Sequence, residues 1–245
     1  MSAMRSLCLL ALFAVPAAGL AQEAAPTVDQ IVAQHVAARG GAKALAAVRT
    51  LRMSGHAIEG PGREAIIRRE IARPNRIRTE FEFQGTTGVY VWDGKGGWQV
   101  SPLDGSLDVV TMPPDAAAVS AEQADFEGPL VDWKKKGHKV DLVGTSTLAG
   151  GPAHDLKVTM KSGQVRHVWI DAATGQMVKS SSTRTVKGHK TEFEVLFGDY
   201  KETSGVRFAR TIDMGVMGRP RRMKIVVDNV EVNPALGDAR FRRPR

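Results

Sequence analysis

The sequence predicts a mainly β (α+β) protein: an antiparallel meander of long strands that can curl around a large core or a cavity, with a few helices. Apolar residues repeat at helical spacing near the start of the chain, but from about residue 50 they alternate with polar residues. Glycine makes up 25 of the 245 residues, and many glycines lie in turn signals between the alternating segments. The hydrophobic fraction of 42% and the charged fraction of 24% are typical of a folded chain.

The start of the chain has the three parts of a cleavable signal peptide. Arg5 supplies positive charge, residues 7–15 are apolar but too few to span a bilayer, and Gly19-Leu20-Ala21 ends in small residues. We expect residues 1–21 to be removed, leaving one exported domain over residues 22–245. A short anchor helix that stays attached is the alternative. Cleavage would also remove Cys8, the one cysteine, so no disulfide is expected.

Three helices are expected. Residues 27–30 have the pattern of a capping box, and the apolar stripe that follows ends at Gly40-Gly41. A second short helix is expected over residues 42–48. The third, over residues 115–124, follows Pro113-Pro114 and is rich in alanine. Because it lies between two groups of strands, it could cover the open side of a curved sheet.

Strands are predicted where apolar and polar residues alternate. The clearest case is residues 76–83, in which Ile77, Phe81 and Phe83 alternate with charged residues. Asp93-Gly94 predicts a hairpin turn. The other predicted strands cover residues 63–71, 89–92, 97–101, 156–160, 165–170, 177–186, 193–197, 206–213 and 222–232.

Apolar residues on these strands are the candidates for a functional surface, because the strands would curve around one interior. On the residue pattern alone, a plain hydrophobic core explains them better than a ligand cavity. The candidate cavity-lining residues are Ile77, Phe81, Phe83, Met160, Trp169, Phe193, Val195 and Phe197.

Positive charge is concentrated near the end of the chain. The formal net charge is +8, and residues 219–245 carry eight Lys or Arg against three Asp or Glu. In an exported protein such a segment could contact anionic membrane surfaces, while a solvated, solubilising face is the alternative. Nucleic acid is not expected as a partner. The candidate membrane-facing residues are Arg219, Arg221, Arg222, Arg242 and Arg243.

Motifs for catalysis are not found. The sequence has no Gly-x-Ser-x-Gly nucleophile elbow, no phosphate loop and no dinucleotide fingerprint, and its six histidines have no metal-binding spacing. The pairs Glu80/Glu82 and Glu192/Glu194 have a spacing compatible with acid–base chemistry, but they alternate with phenylalanines as an outer polar face does. We therefore expect no enzyme activity, no cofactor and no metal.

Short motifs along the whole mature chain resemble, in their order, the LolA-like outer-membrane lipoprotein-sorting proteins. The motifs are residues 27–55, Val91-Trp92-Asp93-Gly94 with Gly97-Trp98, Phe126-Glu127-Gly128-Pro129-Leu130, Phe197-Gly198-Asp199-Tyr200, Gly205-Val206-Arg207-Phe208, and Val230-Glu231-Val232-Asn233-Pro234 before Phe241.

This resemblance implies an incomplete, strongly curved antiparallel β-barrel covered by an N-terminal helix and a mid-chain helical lid. It implies a periplasmic carrier that holds the acyl chains of a lipoprotein or another lipid in an apolar cavity, with no bond chemistry and no cofactor. The expected partners are the acylated cargo and envelope transporter proteins, together with the anionic membrane surface that the basic segment indicates. An exported hydrolase or carbohydrate-binding domain on a similar sheet is the alternative. The expected lid residues are Val119, Phe126, Leu130 and Trp133.

Overall fold

The structure, a computed structural model, describes residues 25–102, 105–148, 150–186 and 189–244. The predicted signal peptide lies outside these residues. Helices α1 (Val28–Ala38) and α2 (Gly41–Ala47) precede the sheet. The predicted capping box is confirmed, since the Thr27 hydroxyl accepts a hydrogen bond from the Gln30 N–H and the Gln30 side chain accepts one from the Thr27 N–H.

The strands in the described part of the chain form one antiparallel sheet of 13 strands. Their bounds are β1 Thr50–Gly60, β2 Arg63–Ala72, β3 Arg76–Phe83, β4 Thr86–Trp92, β5 Gly97–Val100, β6 Val110–Thr111, β7 Lys139–Leu148, β8 Gly151–Thr159, β9 Val165–Asp171, β10 Met177–Val186, β11 His189–Thr203, β12 Val206–Val216 and β13 Arg222–Val232.

The strand order explains the shape of the barrel. It runs β6-β5-β4-β3-β2-β1-β13-β12-β11-β10-β9-β8-β7, so the first and last strands are neighbours in the centre of the sheet. Leu51 of β1, for example, is paired with Val232 of β13. Each half is a meander leading away from this central pair, and within the described residues β6 and β7 are the two unpaired edges. Because strands in a sheet twist, so many of them curl into a barrel that stays open. The predicted fold class is confirmed.

The connection between the two edge strands carries the third helix. We call residues 112–138 the mid-chain segment; it contains α3 (Pro114–Gln123), which starts with a proline at its first helical position, where no N–H donor is needed. α3 packs closely on β5. A Cβ atom added to Gly97 would lie 3.5 Å from the Ala117 Cβ, an ordinary contact distance, and 3.0 Å from the Met112 Cβ, so Met112 would have to shift by a few tenths of an ångström.

All three helices lie on the same face of the sheet, which we call the inner face. Leu45 of α2 belongs to a first core cluster with Leu51, Ile77 and Ile225 of the sheet and Val131 of the mid-chain segment. A second core cluster packs α1 against β7, β8 and β9. Its buried members are Ile31, Val32, Leu130, Val140, Leu156, Val158, Val168 and Ile170.

The C-terminal tail covers part of the opposite, outer face. It contains a short 3-10 helix, Asp238–Arg240, followed by Phe241, which is 1% exposed. Phe241 packs against Ala72, Val91 and Trp98, and its carbonyl accepts a hydrogen bond of 3.3 Å from the Trp98 indole N–H. The first half of the sheet is therefore packed on both faces.

Candidate functional site

On β3 and β8, the predicted lining residues face inward. Ile77 is buried in the first core cluster and Phe81 packs against it, while Met160, just after β8, packs against the second. Phe83 follows Phe81 by two residues on β3, so alternation places it on the same face, where it is partly exposed. The structure therefore brings these four residues to the inner face.

The predicted residues on β11 also face inward. Phe197 is paired with Ile212 and Val195 with Met214, and both partners pack against the first core cluster. Side chains at directly paired positions lie on the same face. Phe193, two residues before Val195, has the same orientation. All three β11 side chains are partly exposed, so packing does not fully cover this part of the inner face.

Trp169, by contrast, lies on the outer face. Its neighbours on β9, Val168 and Ile170, are fully buried in the second core cluster, so alternation turns Trp169 the other way. The ammonium of Lys179 lies 4.9 Å from the centroid of its indole ring. This corrects the prediction that placed Trp169 in the interior with the other aromatic residues.

The predicted lid residues divide into two groups. Leu130 is buried in the second core cluster, Trp133 packs against that cluster, and Phe126 packs against the first. Val119 lies on α3, a helix that is described over its full length and has no buried residue. The part of the mid-chain segment after α3 is therefore core, while α3 itself covers the inner face more loosely.

Two arginines attach the mid-chain segment to the N-terminal helices. The Arg39 guanidinium donates to the Phe126 carbonyl at 2.9 Å and to the Glu127 carbonyl. Arg73 forms an ion pair of 2.7 Å with the Glu127 carboxylate, and its guanidinium lies 4.9 Å from the Phe126 ring centroid. Arg73 also donates to the Val48 carbonyl at 2.7 Å. Sequence reasoning assigned this role to no residue, because the contacts join positions far apart in the chain.

One carboxylate connects α3 to the second half of the sheet. Glu122 forms an ion pair with Arg166 of β9 and lies 3.8 Å from the Arg184 guanidinium of β10. The same helix packs on β5 in the first half of the sheet. α3 therefore bridges the two sides of the open barrel.

An apolar hollow lies on the inner face beside β1, β2, β12 and β13. Its cavity volume is about 20 Å³, which is room for about one water molecule and far below the roughly 300–1,000 Å³ of ligand pockets. A long acyl chain would therefore need the hollow to widen. The lining residues are Met53, Ser54, Ile67, Arg69, Ile212, Ile225 and Val227.

Arg69 is the charged residue of this hollow. Its Nε is buried without a hydrogen-bond partner, and no ion pair joins its guanidinium to any residue in the described ranges. Burial lowers the pKa of Arg69 to about 10, so the side chain keeps its charge at neutral pH. Sequence reasoning missed Arg69, although its alternation with Ile67 and Ile71 indicates the inner face.

Of the four carboxylates considered for acid–base chemistry, Glu80, Glu82 and Glu194 lie in ion pairs on the outer face. Glu80 pairs with Arg78 at 2.7 Å, and Glu194 pairs with Lys179 at 2.5 Å and with Arg222 at 3.1 Å. The Lys179 hydrogen bond holds the pKa of Glu194 below its usual value, whereas a general acid needs a raised pKa. This geometry favours a structural role. In the residues that the structure describes, no three His, Cys, Asp or Glu side chains are grouped as metal ligands.

The five candidate basic residues do not form one surface. Arg219 and Arg221 are exposed in the turn between β12 and β13, and Arg221 pairs with Glu59 at 2.6 Å. Arg222 is held by Glu194 and Asp213. Arg242 and Arg243 are exposed in the tail beside β6, where Arg243 donates to the Val109 carbonyl at 2.7 Å. No helix of the described residues has the length and apolar character needed to cross a membrane.

The fold is similar to three solved structures. A LolA superfamily protein from Nitrosomonas europaea aligns with a TM-score of 0.58 at 12% identity, covering 89% of this chain and 98% of that one. A putative outer membrane lipoprotein-sorting protein domain from Vibrio parahaemolyticus gives 0.56 at 12% identity, covering 88% and 97%. A DUF1329 family protein from Desulfovibrio piger gives 0.57 at 12% identity, covering 88% and 97%. No family model and no curated protein matches the sequence. The chain thus has the LolA-like fold that the sequence motifs predict.

Proposed function

We propose that this LolA-like protein is a periplasmic carrier that binds acyl chains of a lipoprotein or another lipid between its sheet and its helices and moves them across the cell envelope. The observation that carries the proposal is the inner face itself, which keeps partly exposed aromatic residues on β3 and β11 beneath a bridging helix. The likeness in fold to a lipoprotein-sorting domain supports it.

An apolar interior suits such cargo for energetic reasons. Each methylene removed from water contributes about 0.8 kcal/mol, so a chain of about sixteen carbons would gain on the order of 10 kcal/mol. A carrier that shields such a chain needs no bond chemistry. It does need a way to open, because the hollow of about 20 Å³ is far too small for a long chain.

Opening would use α3 rather than the whole mid-chain segment. α3 has no buried residue along its described length, and its link to the second half of the sheet runs through Glu122 to Arg166 and Arg184. Leu130 and Val131 are buried, so moving the later part of the segment would expose core. Lifting α3 would uncover the inner face of β3 to β5 at lower cost in free energy.

Acyl binding is tested with a fluorescent fatty-acyl probe. The parent protein should bind the probe with a rise in emission. Phe193→Glu places a carboxylate on the inner face, where a charge removed from water costs several kcal/mol, so probe affinity should fall at least about tenfold. Leu196→Glu is the matched control, because Leu196 is 40% exposed on the same strand and faces outward; it should bind like the parent.

Circular-dichroism melts of both variants separate lost binding from lost folding. Failure of the parent to bind the probe would overturn the proposal. Equal probe affinity for Phe193→Glu and Leu196→Glu would show that this face takes no acyl chain.

Contact with an anionic membrane surface is a separate part of the proposal. Arg219 and Arg221 are exposed in one turn and Arg242 and Arg243 in the tail. Binding to phosphatidylglycerol vesicles should fall as salt rises, because exposed charges are screened over about 10 Å at 0.1 M salt. Two double variants, Arg219→Ser with Arg221→Ser and Arg242→Ser with Arg243→Ser, are compared by co-sedimentation. The variant with the larger loss identifies the pair of arginines that contributes to vesicle binding. Equal binding to neutral vesicles would contradict this part.

A further inference from the structure

We propose that Arg69 binds an anionic headgroup, so that the interior prefers acyl compounds ending in a carboxylate or a phosphate over neutral ones. This inference rests on the proposed function, since it assumes that acyl chains enter between the sheet and the helices. It adds a chemical class of cargo and the residue that selects it.

The surroundings of Arg69 offer it no counter-charge. Its direct partners on the neighbouring strands are Met53 of β1 and Thr79 of β3, neither of which is charged. The rest of the hollow is lined mainly by aliphatic side chains, including Ile67 and Val227. In the described part of the chain, no carboxylate lies within ion-pair distance of the Arg69 guanidinium, and its Nε donor is unused.

Such an arrangement is unfavourable for folding alone. Arg69 is partly buried, and its Nε is buried without a hydrogen-bond partner, so part of the guanidinium is removed from water without compensation. The pKa of Arg69 remains about 10 despite burial, so at neutral pH the group does not escape this cost by losing its proton. An anion placed beside the guanidinium would remove the penalty, and the residue therefore favours binding over stability.

The chemistry of the guanidinium defines the ligand class. Its planar fork donates two parallel hydrogen bonds to a carboxylate or a phosphate, and such charge-assisted pairs are stronger than neutral hydrogen bonds. A hydroxyl or an ester cannot supply the same paired acceptors or the charge. Because the walls of the hollow are apolar, the anion should be attached to a hydrocarbon chain.

A second inner-face arginine adds to the positive potential. Arg210 lies on β12 between Phe208 and Ile212, both of which contact the first core cluster. It is buried, its Nε has no hydrogen-bond partner, and one of its other nitrogens donates to the Thr203 hydroxyl at 2.7 Å. No ion pair involves Arg210 within the described ranges, so the inner face carries two arginines that lack a carboxylate partner.

The chain supplies a matched control for the test. Arg68 is adjacent to Arg69, faces the outer side and pairs with Glu82 at 2.9 Å. The experiment measures displacement of a neutral fluorescent acyl probe by three competitors with the same sixteen-carbon chain: hexadecanoate, hexadecyl phosphate and hexadecanol. Inorganic phosphate alone is the fourth competitor.

In the parent protein, at least one anionic competitor should bind about tenfold to a hundredfold more tightly than hexadecanol, the range for hydrogen bonds to charged groups. Arg69→Met should remove this preference while leaving hexadecanol affinity unchanged, and Arg68→Met should keep it. The anion that binds more tightly distinguishes a fatty carboxylate from a phosphate headgroup. Inorganic phosphate should not displace the probe, because it lacks the chain.

Two results would overturn the inference and leave the proposed function intact. One is equal affinity of the parent for all three acyl competitors, and the other is a preference for anions that Arg69→Met retains. Absence of probe binding by the parent would instead overturn the proposed function, and the inference with it. Arg69→Gln, closer in polarity, replaces Arg69→Met if that variant does not fold.

Discussion

Arg68 and Arg69 are neighbours in β2, but they lie on opposite faces of the sheet and differ in their ion-pair partners. On the outer face, Arg68 pairs with Glu82, and Glu70 is bound by both Arg52 at 3.2 Å and Arg240 at 2.8 Å. On the inner face, Arg69 has no such partner in the described residues. The outer face thus satisfies its charges and fixes the C-terminal tail, whereas the inner face keeps an unpaired charge and partly exposed aromatic residues. The outer face therefore contributes to stability, and the inner face has the features that the proposed binding of acyl chains requires.

The largest expected change in stability comes from the difference in packing between the outer and the inner face. Phe241 is 1% exposed on the outer face, so Phe241→Ala should lower the free energy of unfolding by about 4 kcal/mol, as for other buried aromatic residues. Phe197→Ala on the partly exposed inner face should cost about 1 kcal/mol. Urea denaturation measures both. Equal losses would mean that the inner face is packed as tightly as the outer one.

Acid should lower the stability of the protein through α1, the first helix on the inner face. His35 of α1 is buried and donates from Nδ1 to the Gly175 carbonyl at 2.9 Å, and burial lowers its pKa to about 4 from 6.5. Between these values the unfolded chain binds the additional proton, so the free energy of unfolding falls as pH drops from about 6.5 to about 4. The expected loss is about 3 kcal/mol.

Unfolding of His35→Gln, measured from pH 7 to pH 4, should show a flatter pH dependence. His189→Gln, at an exposed position, should keep the slope of the parent. An unchanged slope in His35→Gln would assign the acid sensitivity to other groups.

The outer ion-pair network should depend most on its buried carboxylate. Glu70 is 5% exposed, and Glu70→Gln leaves Arg52 and Arg240 without their shared partner. We expect a loss of about 2 kcal/mol, below the value for a fully buried pair because both arginines remain partly exposed. Glu82→Gln, which breaks a more exposed pair, should change stability by less than about 1 kcal/mol. Chemical denaturation that ranks the two variants in reverse order would contradict this account of the outer face.

The smallest effect should have the opposite sign. Arg69→Met removes an unpaired charge from apolar surroundings, so it should raise the free energy of unfolding by about 1 kcal/mol. Arg68→Met should change it by less than about 0.5 kcal/mol, because its pair with Glu82 is exposed to solvent. Thermal melts of both variants measure the difference. A clear destabilisation by Arg69→Met would show that the guanidinium is satisfied in the empty protein.

Local pattern in the sequence predicts much of the fold. The bounds of β10 and β13 agree with the predicted strands, and the capping box of α1 is present. The edge strand β7 is missing from the predicted strands because most of its side chains are exposed and its alternation stops at Val143-Gly144, after Val140 and Leu142. The pairing of β1 with β13 also could not be predicted, since it joins opposite ends of the chain.

The candidate site shows the limit of residue patterns more sharply. Val168, Trp169 and Ile170 are consecutive apolar residues, so alternation alone cannot decide which of them face inward. The large Trp169 ring was assigned to the interior, but Lys179 covers it on the outer face. Arg69 alternates with Ile67 and Ile71 as an inward-facing residue does, but a charged residue is not expected in a core. Its significance depends on the absence of a counter-charge in the described residues, which only the folded arrangement reveals.

The central pairing of the sheet also determines when the interior can close during folding. Each meander consists of hairpins between successive strands and can begin to form locally. β1, however, cannot pair until β13 is available. Contacts between them, such as that between Arg52 and Glu231, join residues 179 positions apart. Long-range contacts of this kind slow folding. If the chain is exported as we propose, the two halves of the sheet cannot join until nearly all of the chain has emerged. The proposed binding surface would then be completed only after export.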